Sequence, residues 1–476
     1  MPSVRVVLPG SLHPSWADLR ASLGVSDVFP AEVLADAAAA AAAPRLPERD
    51  LTSLPFFTVD PPGSLDLDQA MHLSRRGDGF RVTYAIADVA AFVAPGGPLD
   101  AETHVRGETT YFPDLRVPLH PPVLAEGAAS LLPGQLRPAV VWALDLDGTG
   151  ELTGTDVRRA RVRSVRRWDY AEVQRELAAG TAGEQLTLLR EIGTRRQALA
   201  RARDAVDLPT PEQEVTDGPD GRPQLAYRAQ LPSEAWNAQI SLLTGMAAAG
   251  LMLAGRIGLL RTLPPPAADA VASLRRSALA LGLPWPEGTP YGDVVSAQDA
   301  STPPAAALLT LATRLLRGAA YTAFDGALPE QQMHSAVAAP YAHCTAPLRR
   351  LADRYVSEVC LALCAGLPVP DWARAALPAL PAEMAAADKR AHEVERAIVD
   401  LAEAVVLAPR VGEEFDAVVV ESGAKGGVVQ LEQPAVRARC DGPDLPLGQR
   451  IRVRLTTADP TTRVVRFGAG LPDSAS

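Results

Sequence analysis

Apolar and polar positions change their rhythm three times along the chain. Residues 1 to about 50 hold SWADLRASLG and PAEVLADAAAAAAA, two short runs of good helix formers with Ser15 and Pro30 as start signals. From about 51 to 165 the runs FFTVD, FRVTYAIADVAAFV and RPAVVWALDLDGTGEL are rich in β-branched and aromatic residues. Turns of Gly, Pro and Asp separate them, so they predict strands. Between about 168 and 405 the spacing is helical, as in WDYAEVQRELAAG, AWNAQISLLTGMAAAGLMLAGRIG and MAAADKRAHEVERAIVDLAEAVVLA, with breaks at LPTPEQEV, RTLPPP and LPWPEGTP. After Pro409 short strands return in EFDAVVVES, GGVVQLE, AVRARC, RIRVRLTTAD and TTRVVRFG, and five of them in about sixty residues predict a small OB-fold β-barrel. The predicted fold class is α+β: a small N-terminal helical domain over 1–50, a central domain of mixed sheet and helices over 51–408, and the barrel over 409–470.

Composition narrows the class. A chain of 476 residues accommodates roughly three units, and 47% apolar residues suit packed cores. A net charge of −10 argues against a surface coated with cations for duplex binding, while leaving room for a local channel. One cationic run, VRRARVRSVRR, carries Arg158, Arg159, Arg161, Arg163, Arg166 and Arg167; its charge predicts an edge strand with one solvated face. No stretch reaches about eighteen uninterrupted apolar residues, and the first residues lack a basic-then-apolar leader. The expectation is therefore a cytoplasmic protein with no membrane contact. Cys344, Cys360, Cys364 and Cys440 lack paired zinc spacing and are expected to be buried free thiols.

The densest chemistry lies in TVDPPGSLDLDQA. Asp60, Asp66, Asp68 and Gln69 fall within ten positions, directly after a predicted strand. Hard divalent cations take oxygen ligands of this kind, and an acidic surface loop is the alternative that spacing alone leaves open.

DPPGSLDLDQA followed by YAIADVAAFV resembles the catalytic (RNB) domain of the ribonuclease II and ribonuclease R family, whose pattern is D-x5-D-x-D-D-A and then an H/A-I-A-D-V strand. TTYFPDLRVPLHPPVLAEGAASLLPG is similar to the family's Y-L-P-x-x-x-x-P-M-L-P stretch ending in C-S-L. SVRRWDYAEVQ is similar to I-x-S-x-x-x-L-x-Y-x-x-V, and HCTAPLRRLADRYV to F-T-S-P-I-R-R-Y-A-D. The matches are collinear from residue 57 to about 405.

This resemblance implies a hydrolytic 3′-to-5′ exoribonuclease that degrades single-stranded RNA to nucleoside 5′-monophosphates with two Mg²⁺ ions, or Mn²⁺, no organic cofactor and a monomeric state. Asp60 and Asp66 would bind or orient the metal, and Asp68 the second ion or the attacking water. Arg349 would grip the phosphate, an ion pair with Asp353 being its structural alternative. Gln69 replaces the family's fourth aspartate. Its amide oxygen can still coordinate a cation, so weaker magnesium binding is expected, and an RNA 3′-end binder with weakened catalysis is the second reading. Tyr111 matches the aromatic that stacks on the terminal nucleotide, Leu208 the position of the opposing phenylalanine, and Glu395 a carboxylate near the RNA 3′ end. The C-terminal barrel offers few aromatics beyond Phe415 and Phe467, so it would hold RNA mainly by shape and charge. The family commonly carries two cold-shock barrels ahead of the catalytic domain; residues 1–50 leave no room for them, so the expectation is that the helical unit replaces them or leaves the entrance open.

Overall fold

The computed structural model describes residues 16–206, 208, 212–217, 223–228, 230–299, 302–431 and 436–469; the expected start signal Ser15 lies outside them. Two short helices come first, α1 (Trp16–Ser22) and α2 (Ala31–Ala42). The sheet-rich segment then builds β1 (Phe56–Asp60), β2 (Gln69–Arg76), β3 (Gly79–Ala87), a small hairpin β4 (Thr110–Tyr111) and β5 (Arg116–Val117), and the long strands β6 (Leu136–Leu146) and β7 (Leu152–Asp169), with α3 (Pro98–Arg106) between β3 and β4. β1, β2, β3, β6 and β7 close into a barrel, because β1 pairs antiparallel with β2 and parallel with β7.

Strand alternation explains how that barrel supports two cores. Val82, Tyr84 and Ile86 join a cluster with Trp142 and Leu144, whereas Ala85 and Ala87 point the other way, into a cluster with Val33, Phe92 and Leu99. Both faces are covered, so β3 is buried almost throughout.

The arginine-rich run is no edge strand, which corrects the expectation from its charge. It forms β7, hydrogen-bonded on one side to β6 and on the other to β1. Val157, Ala160, Val162 and Ser164 are its buried positions, and Arg159 is held by Asp88 at 2.7 Å and by Glu358. Local charge could not reveal this, because closure depends on β1, about a hundred residues upstream in sequence.

The helical section contains α4 (Tyr170–Ala179), α5 (Glu184–Ala202) and α6 (Pro232–Gly255), with the hairpin β8 (Glu212–Asp217) and β9 (Pro223–Arg228) between α5 and α6. α4 begins in a capping box at Asp169 and Glu172. α6 is long and apolar enough to cross a membrane by length and composition, but Ile240, Leu243, Ala248 and Met252 are buried in the main core. Arg256 takes a left-handed conformation and ends α6, so the predicted helix through RIG stops there and β10 (Ile257–Thr262) pairs with β11 (Ala320–Asp325). α7 (Ala268–Ala280), α8 (Tyr291–Ser296) and α9 (Pro303–Ala312) lie between those strands, and β12 (Met333–His334) with β13 (Ala339–Pro340) follows.

α10 (Leu351–Ala365), α11 (Asp371–Ala376) and α12 (Leu380–Leu407) lead to the C-terminal strands. Leu380 and Met384 of α12 belong to the main core, whereas Val394, Ile398 and Leu401 pack with the second barrel, so this one helix joins the two bodies. The second barrel closes in the order β14 (Glu414–Gly423), β15 (Gly426–Leu431), β16 (Arg437–Asp441), β18 (Val464–Ala469), β17 (Arg450–Asp459), a five-stranded OB-like arrangement. Phe415 and Phe467 are core residues with rings 5.8 Å apart, not surface platforms.

The N-terminal helices join different cores. Trp16 and Leu19 of α1 pack with α12 and the second barrel, and Val33 and Ala37 of α2 pack against the first. Cys344, Cys360 and Cys440 are buried, Cys364 is half-buried, and all four are free thiols.

Candidate active site

β1 delivers Asp60 at its last position, and the Pro61–Pro62–Gly63 turn lets the chain double back, with Gly63 at φ +78° where a side chain would be strained. The returning segment is fastened from within: the Ser130 hydroxyl donates to the Leu65 carbonyl at 2.6 Å and accepts from the Leu67 N–H at 2.9 Å. Asp68 then sits just before β2, with a relative exposure of 4%. Its Oδ1 accepts the Leu348 N–H at 2.8 Å, and its Oδ2 lies 3.5 Å from Arg349 Nε. Asp66 is paired with Arg116, which also reaches Glu126 at 3.1 Å. Asp60 Oδ2 is buried without a hydrogen-bond partner among the described residues.

Opposite these carboxylates runs the turn from Thr345 to Arg350. Arg349 keeps 49% of its side chain exposed beside the buried Asp68, so the guanidinium faces both the carboxylate and solvent. Its anticipated alternative partner, Asp353, binds Arg350 instead, at 2.6 and 2.9 Å. The reason is local. Arg350 is the N-cap of α10, so Arg349 lies outside the helix and the i, i+4 geometry does not apply to it. Asp353 Oδ1 also accepts the Ala346 N–H at 2.7 Å, and the Thr109 N–H donates to the Arg349 carbonyl at 2.9 Å.

Tyr111 stands on the β4–β5 hairpin, 40% exposed, close enough to Arg349, Asp66 and Asp68 for their charges to act on its phenol. Gly107 makes the approach to this hairpin possible: it has φ +70°, and a Cβ there would lie 2.5 Å from Ala387 Cβ. α1 braces the hairpin through Arg20, whose Nη1 lies 2.7 and 2.8 Å from the two Asp114 oxygens. Gln69 presents its side-chain N–H to the Thr345 carbonyl. Leu208 is half-buried against the cluster of Leu274, Trp285 and Leu308, and Glu395 is half-buried on α12, where burial raises its carboxyl above the usual range.

Burial sets the electrostatics of the centre. It pushes Asp60 up to about 7, opposed by the Thr58 hydroxyl and then Arg349, and Asp68 well above the ordinary carboxylate range, opposed by Arg349. The unsatisfied Oδ2 of half-buried Asp60, beside buried Asp68, suits a hard divalent cation, which would restore their charge. Asp60, Asp66 and Asp68 are the candidates to hold one. Among the described residues, however, no three His, Cys, Asp or Glu side chains converge as a ready ligand set. Asp66 faces Arg116, and the Gln69 N–H faces a carbonyl.

Sequence reading missed Arg116, Ser130 and His120. His120 is buried, its Nδ1 lies 3.1 Å from the Leu348 carbonyl, and burial lowers its pKa to about 4, so the ring is neutral at pH 7. The one available signal was a histidine between prolines inside an apolar stretch, PLHPP.

Buried carboxylates under an accessible guanidinium and an exposed tyrosine, joined to an OB-like barrel, make an architecture suited to a polyanionic chain. The chain belongs to the RNB domain family, which matches residues 48–365, and residues 413–469 match the RNase II-type exonuclease C-terminal S1 domain. Exosome complex exonuclease RRP44 homolog A of Arabidopsis thaliana is 31% identical over 329 residues, covering 65% of this chain and 35% of that protein. Ribonuclease R of Escherichia coli K12 is 30% identical over 321 residues, covering 64% and 39%. The chain thus spans little more than a third of the length of these relatives. Among solved structures, Mycoplasma genitalium RNase R in complex with ribose-methylated single-stranded RNA has the same fold, with a TM-score of 0.77 at 19% identity, covering 98% of this chain and 76% of that one.

Proposed function

We propose that this protein is a hydrolytic 3′-to-5′ exoribonuclease that acts on single-stranded RNA and releases nucleoside 5′-monophosphates. The observation that carries this reading is the half-exposed Arg349 guanidinium 3.5 Å from buried Asp68. Family membership and the single-stranded RNA bound by the Mycoplasma relative support it.

Arg349 is a planar donor fork suited to the scissile phosphate and to the charge that grows there during displacement. Tyr111 offers its ring to the terminal base, a sequence-tolerant contact. When bound at Asp60, Asp66 and Asp68, magnesium or manganese would supply Lewis-acid stabilisation of the phosphoryl oxygens and lower the pKa of water. Arg116 meets Oδ1 of Asp66, so Oδ2 would be the oxygen that faces a cation. Water forms the new bond to phosphorus, the bond to the 3′ oxygen of the preceding nucleotide breaks, and that oxygen takes a proton. The phosphate therefore stays on the released nucleotide.

The test is incubation of purified protein with 5′-labelled and internally labelled single-stranded RNA, with Mg²⁺, Mn²⁺ or EDTA. Metal-dependent release of 5′-monophosphates from the 3′ end is the expected result. Stable complexes without products would favour a 3′-end binder, and phosphate-dependent nucleoside diphosphates would overturn hydrolysis.

A further inference from the structure

Two of the positions at which the chain departs from the family pattern, Gln69 and His120, reach the same turn. Gln69 stands where the pattern has its fourth aspartate. His120 stands where the P-M-L-P stretch has leucine, the chain reading PLHP from Pro118 to Pro121.

The side-chain N–H of Gln69 donates to the Thr345 carbonyl, and His120 Nδ1 lies 3.1 Å from the Leu348 carbonyl. A carbonyl oxygen only accepts, so the amide must present its NH₂ and the imidazole its Nδ1–H. Neither an ionised aspartate nor a leucine could replace these donors. The N–H groups of the same turn are held from other directions: Leu348 N–H by Asp68 at 2.8 Å and Ala346 N–H by Asp353 at 2.7 Å. The turn therefore has carbonyl and amide groups fastened to β2, to the 109–120 segment and to α10. Its C-terminal end matters most, because Leu348 orients Asp68 and the next residue is Arg349.

We propose that Gln69 and His120 are positioning residues that pin the Thr345–Arg349 turn, holding Asp68 and Arg349 in register where the family pattern relies on a fourth carboxylate. Gln69 thus acts on the backbone through its amide N–H, a role separate from any that its Oε1 plays toward a cation. His120 works as a neutral donor whose tautomer is fixed by the Leu348 carbonyl. The catalytic consequence rests on the exoribonuclease reading; the tether itself does not.

Three variants of the full chain decide it: Gln69→Asp and His120→Leu, which restore the pattern residues, and His120→Asn, whose amide N–H can occupy the place of Nδ1–H. Hydrogen exchange of peptides covering 343–350, in EDTA, reads the tether without reference to activity. Gln69→Asp and His120→Leu should speed exchange there by about tenfold, as local opening becomes easier, and His120→Asn should keep most of the protection. In the nuclease assay the first two should lower kcat several-fold with KM for RNA little changed, because Tyr111 and the second barrel are untouched, and His120→Asn should recover kcat. Unchanged exchange in Gln69→Asp and His120→Leu overturns the proposal. So does a Gln69→Asp protein that turns over faster than wild type, since the N–H tether to Thr345 would then be dispensable for catalysis. If Gln69→Asp fails to fold by circular dichroism, the His120→Leu and His120→Asn pair decides alone. If no variant and no wild-type protein cuts RNA, the functional reading fails while the exchange data still judge the tether.

Discussion

The clearest quantitative consequence of the buried carboxylates concerns Asp60. Burial raises its pKa from 3.8 to about 7, so between those values the folded protein binds a proton that the unfolded chain does not. Stability of the metal-free protein must therefore fall as pH rises from about 4 to about 7 and level off above. The span is about three pH units at about 1.4 kcal/mol each, or about 4 kcal/mol. Asp60→Asn removes that dependence while keeping side-chain shape. Its amide would itself be buried next to an unpartnered position, an offset of about 1–3 kcal/mol that does not vary with pH. The quantity to compare is therefore the slope. Urea unfolding in EDTA, followed by tryptophan fluorescence with Trp142 buried in the barrel, should show the variant gaining about 4 kcal/mol on wild type between about pH 4 and pH 8. Millimolar Mg²⁺ should flatten the wild-type curve and leave the variant nearly unmoved. Parallel pH profiles of the two proteins in EDTA would refute the argument that Asp60 is held in a charge-starved pocket.

Other perturbations separate chemistry from structure. Arg349→Ala should lower turnover by about a hundredfold or more, the scale of one strong transition-state contact, with little change in urea midpoint because the side chain is half-exposed; a loss seen only in stability would make it structural. Asp68→Asn should abolish cleavage while RNA binding, read by fluorescence anisotropy, stays near wild type. Tyr111→Ala should weaken RNA binding by about 1–3 kcal/mol with an unchanged melting temperature, since its ring is exposed. Arg20→Ala should lower stability by about 1–3 kcal/mol through loss of the Asp114 contacts and should raise KM for RNA through a looser β4–β5 hairpin; unchanged KM would show that α1 has no bearing on RNA.

Much was readable from sequence because the signals were local. Alternating β-branched positions identified the strands around Asp60 and those of the second barrel, and helical spacing identified α6 and α12. The collinear motifs singled out Asp60, Asp66, Asp68, Tyr111 and Arg349, and the folded chain brings these together. Tertiary structure decided what depended on pairing across long separations. Closure of the first barrel needs β1 to meet β7, so an arginine-rich strand that reads as an edge is interior to a sheet. Asp353 turns to Arg350 because α10 begins at Leu351, two residues after the position that i, i+4 spacing places on the helix. Phe415 and Phe467 read as the few aromatics available for RNA, yet they meet in the core. Gln69 read from sequence only through its amide oxygen, and the fold adds what no local pattern showed, a backbone carbonyl 276 residues away that accepts its side-chain N–H. Residue type fixes which chemistry a position can perform; the partner that chemistry meets is set by packing between distant segments, and no local pattern encodes it.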